Sequence, residues 1–172
     1  MRREPPFTAA WAPFRYAHPL DLLEARFKFH RDLAAGRVLA QRMIDRLKTD
    51  HPDRPPLLIP VPLHKQRLRE RGYNQALELA RPLAKSLDIP IAPDALQRTR
   101  STRTQTGLDA KARRKNLLGA FAVIANDLPE HVALIDDVMT TGATVHECAR
   151  ALKKAGVARI DIWVLARAPH GR

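Results

Sequence analysis

The stretch HVALIDDVMTTGAT, His131 to Thr144, limits what this chain can fold into more than any other segment. Val132, Ala133, Leu134 and Ile135 form a continuously apolar run, the pattern of a strand in a parallel sheet covered on both faces. Two adjacent carboxylates, Asp136 and Asp137, follow at once, and then a small turn rich in hydroxyls, Met139 to Thr144. In parallel sheets the ligand crevice lies beyond the carboxyl ends of the strands, so this reading ends the strand at Ile135 and puts both acids in the crevice.

The rest of the chain supplies partners for such a strand. Leu57 to Val61 (LLIPV), Ile89 to Ala92, Gly119 to Ala125 and Arg159 to Ala166 read as further strands, the first despite Pro60. Leu20 to Lys48 is helical in period and breaks near His30 to Asp32, with Asp32 as the cap of the second helix. Asn74 caps a helix running to Leu87, which Pro82 should kink, and Val145 to Ala155 is an amphipathic helix ended by Gly156. Residues 1–19, with four prolines and Trp11, Phe14 and Tyr16, read as an irregular or short-strand segment packing aromatics onto the domain. Pro62 to Tyr73 reads as a basic loop, and Gln97 to Lys115 as a long mobile one. Strands alternating with helices predict an α/β fold, a mostly parallel central sheet flanked by helices. At 172 residues one domain is expected, 1–172, with a helical and irregular part at 1–55 and a core at 57–172.

The crevice chemistry follows from residue types. The turn after the acids brings backbone N–H groups and the hydroxyls of Thr140, Thr141 and Thr144 to the start of a helix, and Gly142 allows close approach. That is an anion site, and neither a GxxxxGK nor a GxGxxG pattern is present to make it a nucleoside-triphosphate or dinucleotide loop. A ligand with a phosphate at one end and vicinal hydroxyls beside it suits the amides and the carboxylates together. Charge points the same way: 30 Lys and Arg against 18 Asp and Glu give +12, which favours polyanionic partners. The cations cluster at Lys65, Arg67, Arg69 and Arg71, and again from Arg98 through Arg100, Arg103, Lys111, Arg113, Arg114 and Lys115. No apolar run reaches the roughly 18 residues of a membrane span, no signal peptide is visible, and the lone Cys148 leaves no internal disulfide, so a cytoplasmic protein is expected.

HVALIDDVMTTGAT resembles the phosphoribosyl-pyrophosphate (PRPP) binding motif of type I phosphoribosyltransferases. IPVPLHKQRLRERGYNQALELA, then QTGLDAKARRKNLLGAF, then that motif, in this order, is similar to the ComF family of competence-associated proteins, and FRYAHPLDLLEARFKFHRDLA resembles the family's segment before the first core strand. The resemblance implies a type I phosphoribosyltransferase-like fold with a PRPP-binding core. It implies that Asp136 and Asp137 bind the ribose hydroxyls, while Val138, Met139, Thr140, Thr141, Gly142, Ala143 and Thr144 complete the PRPP loop. Pro62, Leu63, His64, Lys65, Arg67 and Arg71 become the pyrophosphate loop, and a flexible loop carries Arg103, Gln105, Lys111, Arg113 and Asn116. Mg²⁺ would arrive on PRPP oxygens, with no ligand directly from the protein. One departure stands out: the family usually begins with a four-cysteine zinc ribbon, and this chain starts at MRREPPF, about where a ribbon would end. Either this is a ribbon-less member or the chain begins downstream of the true start.

Two functions are therefore expected as alternatives. One is an enzyme transferring phosphoribose with pyrophosphate release, in which Asp136, Asp137, Arg67 and Arg71 carry the chemistry, the arginines as bidentate phosphate ligands. The other is a PRPP-binding module acting in DNA uptake through single-stranded DNA or the competence machinery, and a second copy of the chain is a further candidate partner. His64 is read as a pyrophosphate contact, an acid or a surface residue, Tyr73 as a base-stacking or packing residue, and Cys148 as core.

Overall fold

A computed structural model describes residues 4–50, 52–100 and 116–169. The predicted α/β architecture is present. Strands β1 (Ala9–Trp11), β2 (Phe14–Arg15), β3 (Leu58–Pro60), β6 (His131–Met139) and β7 (Arg159–Arg167) form one sheet in the order β1-β7-β6-β3, with β2 also on β7. Every pairing in it is parallel. The aromatic N-terminal segment thus supplies two short strands, and Trp11 meets Trp163 edge to face at 5.9 Å.

The pleat of β6 explains why its apolar run is unbroken. Val132 and Leu134 pack with Ile160, Ile162 and Val164 of β7 into a core that includes Cys148 and Leu152. Ala133 and Ile135 face the other way, into a core with Leu39, Met43, Leu79, Leu83 and Trp163. Helix α5 (Ala143–Lys154) covers the first face. Helices α1 (Leu20–Phe29), α2 (Leu33–Asp50) and α4 (Gln75–Leu87) cover the second. Local signals behave as expected: the Asp32 carboxylate accepts from the Ala35 N–H at 2.9 Å, and the Asn74 side chain accepts from the Ala76 N–H at 3.0 Å. Gly156 has φ 98°, just past the end of α5.

Several boundaries differ from the sequence reading. The basic segment expected to be a loop contains helix α3 (Lys65–Arg71), because the His64 ring accepts from the Gln66 N–H and Gly72, at φ 90°, closes the other end. Between those two signals lies KQRLRER, all straight-chain helix formers. Helix α4 continues through Pro82 to Leu87 without interruption. Ile89 to Ala92 provides only a bridge, Ile91 against Leu58, with two backbone hydrogen bonds. The strand expected over Gly119 to Ala125 shortens to β5 (Phe121–Val123), which leaves the main sheet and pairs antiparallel with β4 (Leu96–Arg98). Gln97 and Arg98, expected in a mobile loop, belong to that small sheet. Helix α5 starts two residues earlier than expected.

The correction that matters most concerns β6. It continues through the acid pair to Met139, with Asp136 opposite Val164, Val138 opposite Ala166 and Met139 opposite Arg167. On its other side β3 stops at Pro60, and the last bond across is from the Val61 N–H to the Ile135 carbonyl. The acid pair is inside the strand as β7 sees it and beyond the sheet as β3 sees it.

Candidate functional site

That one-sided end of pairing makes a notch between β3 and β6. The chain leaves β3 toward Ile91 and leaves β6 toward β7, so the connections diverge here. In open α/β sheets such a divergence is where ligands bind. Two segments line the notch: α3, following β3, and the turn Thr140 to Gly142, following β6.

The acid pair survives because alternation separates it. Asp136 continues the face of Val132 and Leu134, toward α5, while Asp137 continues the face of Ala133 and Ile135, toward α1 and α4. Each acid also accepts a local hydrogen bond: Asp136 Oδ1 from the Asp137 N–H at 2.9 Å, and Asp137 Oδ1 from the Val138 N–H at 2.6 Å. Burial, and then the neighbouring charge of Asp137, raise the Asp136 pKa well above that of an ordinary aspartate.

The second acid has a partner that the sequence reading missed. Lys28 of α1 reaches Asp137 Oδ2 at 3.4 Å and Glu24 Oε1, one turn back, at 3.2 Å. Glu24 is 2% exposed, and its other oxygen accepts from the Tyr16 hydroxyl at 3.2 Å. Burial opposes the Lys28 charge, but Asp137 and Glu24 outweigh it and raise the Lys28 pKa, so the group is an ammonium. A signal was available: Glu24 lies on the apolar stripe of Leu20, Leu23 and Phe27, where a carboxylate needs a cation.

Helix α3 sorts its cations by face. Arg67 and Arg71, one turn apart, are partly buried, while Lys65 and Arg69 are exposed. Arg71 feels the charges of both Asp137 and Arg67, and Arg67 is also felt by Arg98 of β4. Arg98 packs its guanidinium 5.6 Å over the Phe121 ring and senses Asp136, so it is a second cation beside the acids that the sequence reading left in a generic cluster. The Asn74 side-chain N–H₂ donates to the Val61 carbonyl at 3.0 Å while the same side chain caps α4, which fixes both ends of the α3 segment. The His64 Nδ1 is occupied as the α3 cap. Pro62 and Leu63 connect β3 to that cap and border, with Lys65 and Arg98, a cavity of about 420 Å³ next to the notch.

After β6, Thr140 and Thr141 are exposed, Gly142 and Thr144 partly so, and Ala143 is buried under the turn. Gly142 is required by its φ of 72°, not by space, since an added Cβ would lie 3.6 Å from Met139 Sδ. No side chain of Gly142 caps α5, and the Thr141 hydroxyl accepts only weakly from the Ala143 N–H, at 3.4 Å. The first-turn amides of a 12-residue helix therefore face the same end of the sheet as the acids and arginines.

Of the other residues singled out, Arg103, Gln105, Lys111 and Arg113 lie outside the described residues, and Asn116 is exposed just before Leu117. Tyr73 stacks on Phe27 with ring centroids 5.5 Å apart and so is a packing residue here. Cys148 is fully buried, and burial raises its thiol pKa, which makes it an inert core residue. Among the described residues no cluster of three or more His, Cys, Asp or Glu could hold a metal ion, and no helix is long and apolar enough to cross a membrane.

Comparison with known proteins gives this site a context. Residues 73–172 match the phosphoribosyl transferase domain family. Competence protein F of Haemophilus influenzae is 42% identical over 175 residues, covering 98% of this chain and 76% of that protein. DNA utilization protein YhgH of Escherichia coli is 36% identical over 171 residues, covering 97% of this chain and 75% of the relative. Competence protein ComFC of Bacillus subtilis is 32% identical over 148 residues, 83% of this chain and 58% of that one. The parallel sheet, the order of the motifs along it and these relatives agree: the chain belongs to the ComF family of competence-associated proteins and carries a type I phosphoribosyltransferase-like α/β fold.

Proposed function

We propose that this protein binds PRPP with Mg²⁺ in the notch between β3 and β6 and transfers its phosphoribosyl group to an acceptor, releasing pyrophosphate. The observation that carries the reading is the acid pair standing between α3 and the amide end of α5. The Thr140 to Thr144 turn holds the 5′-phosphate through amides and hydroxyls. Asp136 and Asp137 accept hydrogen bonds from the ribose hydroxyls, and Arg67 and Arg71 bind pyrophosphate, Pro62 to Lys65 shaping that side. The carbon–oxygen bond to pyrophosphate breaks through an oxocarbenium-like state, so the arginines act by stabilising charge that grows on the leaving group. Mg²⁺ would be held by pyrophosphate and ribose oxygens of PRPP, with no ligand directly from the protein, and would neutralise pyrophosphate charge. The names of the relatives, competence protein and DNA utilization protein, support a role in the handling of DNA, and a cytoplasmic place for that role is part of this proposal.

Titration calorimetry with PRPP and Mg²⁺ tests the pocket, and pyrophosphate release with a panel of nucleobases tests the transfer. Binding should weaken about tenfold or more in Arg67→Ala or Arg71→Ala, the loss of a charge-assisted hydrogen bond, and far less in Lys65→Ala. Unmeasurable PRPP affinity of the wild-type protein would refute the proposal. The second reading, a binding module on single-stranded DNA, is favoured by the +12 net charge and by the exposed Lys65 and Arg69. It requires PRPP binding without pyrophosphate release for any acceptor, together with DNA affinity that falls steeply with salt.

A further inference from the structure

We propose that Lys28 is a positioning residue for the acid pair: α1, which lies outside the matched phosphoribosyl transferase segment, orients Asp137 through a Tyr16–Glu24–Lys28 relay. The role rests on the PRPP reading above and names a part of that site which neither the motif nor the family match contains.

The geometry is a line of contacts running from the surface of the N-terminal segment to the notch. The Tyr16 hydroxyl donates to Glu24 Oε2, Glu24 Oε1 holds the Lys28 ammonium, and the ammonium holds Asp137 Oδ2. Asp137 Oδ1 is held separately by the Val138 N–H. Both carboxylate oxygens are thereby fixed, and the plane of the group is set before any ligand arrives. Glu24 has little to offer the fold by itself. A carboxylate 2% exposed on a helix face that packs Phe27 into the core is costly, and an apolar residue of similar size would pack there at least as well. Its place makes sense as the anchor that keeps Lys28 aimed at β6. Lys28 is 29% exposed at its side chain and Asp137 11%, so the ion pair is largely shielded from water and from salt.

The electrostatic surroundings are mixed. Asp137 is faced by Lys28 and Glu24 from α1, by Arg71 from α3 and by Asp136 on its own strand. Removing Lys28 leaves three carboxylates, Glu24, Asp136 and Asp137, with Arg71 on the Asp137 side and Arg98 on the Asp136 side. With Oδ2 untethered, the Asp137 carboxylate turns away from the ribose position, and PRPP binding weakens. Lys28 does not touch substrate in this scheme; it acts through Asp137.

The test is PRPP affinity, by calorimetry with Mg²⁺, of the full chain and three variants. Lys28→Met should lose about tenfold or more in affinity near neutral pH, and Lys28→Arg should restore most of the loss. Because Lys28→Met strands Glu24 as a buried charge, Glu24→Gln with Lys28→Met is the companion variant. It should fold, by circular dichroism and urea midpoint, and still bind weakly. A folded double variant that binds PRPP as the wild type does overturns the role of Lys28 alone. Wild-type protein without PRPP affinity overturns the PRPP reading, and this role with it. Equal losses in Lys28→Met and Lys28→Arg would also reject charge-based positioning in favour of simple packing.

Discussion

Replacing Gly36 by alanine tests whether α1 is pressed onto α2 as tightly as the site needs. Gly36 lies in the first turns of α2, and alanine is favoured over glycine within helices by up to about 1 kcal/mol. Taken alone, helix propensity predicts a stabilised protein. The packing predicts the opposite. A Cβ on Gly36 would stand 2.4 Å from Phe27 Cε2, 2.7 Å from Cδ2 and 3.0 Å from Cζ. Carbon atoms prefer separations of about 3.5–4.0 Å, so one edge of the ring would have to move by roughly 1 Å. The ring has nowhere to go: Phe27 is fully buried and stacked on Tyr73. Overpacking of this kind costs about 1–3 kcal/mol, and three contacts on one ring put it at the upper end, for a net loss of about 1–2 kcal/mol. With a urea m-value of about 2 kcal/mol/M for a chain of this size, the midpoint should fall by roughly 0.5–1 M. Phe27 is the residue before Lys28, so PRPP affinity should fall as well if α1 is pushed outward. Combining Gly36→Ala with Phe27→Leu should show a favourable coupling, the smaller side chain making room for the methyl group. A Gly36→Ala protein more stable than wild type would show that α1 and α2 are not in this contact, and the reasoning about α1 would go with it.

Two further outcomes follow from the site. Since the Asp136 pKa is raised from 3.8, the folded protein binds more protons than the unfolded chain above that pH, and stability must fall as pH rises through the raised value. Urea midpoints from about pH 4 to 8 should therefore decline less in Asp136→Asn than in wild type, with the variant at least as stable at neutral pH; a steeper decline in the variant contradicts the raised pKa. The Glu24 pKa is raised too, chiefly by burial, so part of the slope will remain in the variant. Asn74→Ala removes both the α4 cap and the tie to the Val61 carbonyl, and should cost about 1–2 kcal/mol by urea unfolding. An unchanged midpoint would mean that neither bond is made in solution.

Much of the fold could be read from short segments because its causes are local. Asp32, Asn74 and Gly156 announce helix ends through their own side chain or backbone freedom, and the structure uses each of them as expected. The Pro62 to Tyr73 segment was misread because its charges suggested a loop, while its start signal was a histidine, an uncommon cap. The small β4–β5 sheet was missed because two three-residue strands far apart in sequence carry no periodic pattern. Lys28 and Arg98 were missed for a related reason: each looks like an ordinary surface cation until its neighbours in space are known.

What the chain's order of residues determined by itself is the local chemistry: an unbroken apolar strand, two acids, a threonine-rich turn, and cations grouped after β3. Those are properties of residues adjacent along the chain, set by pleat, helical period and side-chain type. Only the tertiary structure decided which acid meets which cation. β6 keeps its pairing with β7 past Ile135 while β3 stops, which opens the notch, and the pleat sends Asp136 toward α5 and Asp137 toward α1. The partner of Asp137 arrives from a helix far away in sequence, held there by a buried glutamate. No local rule encodes that contact, because it exists only once α1 has packed against the sheet and brought Lys28 to the end of β6.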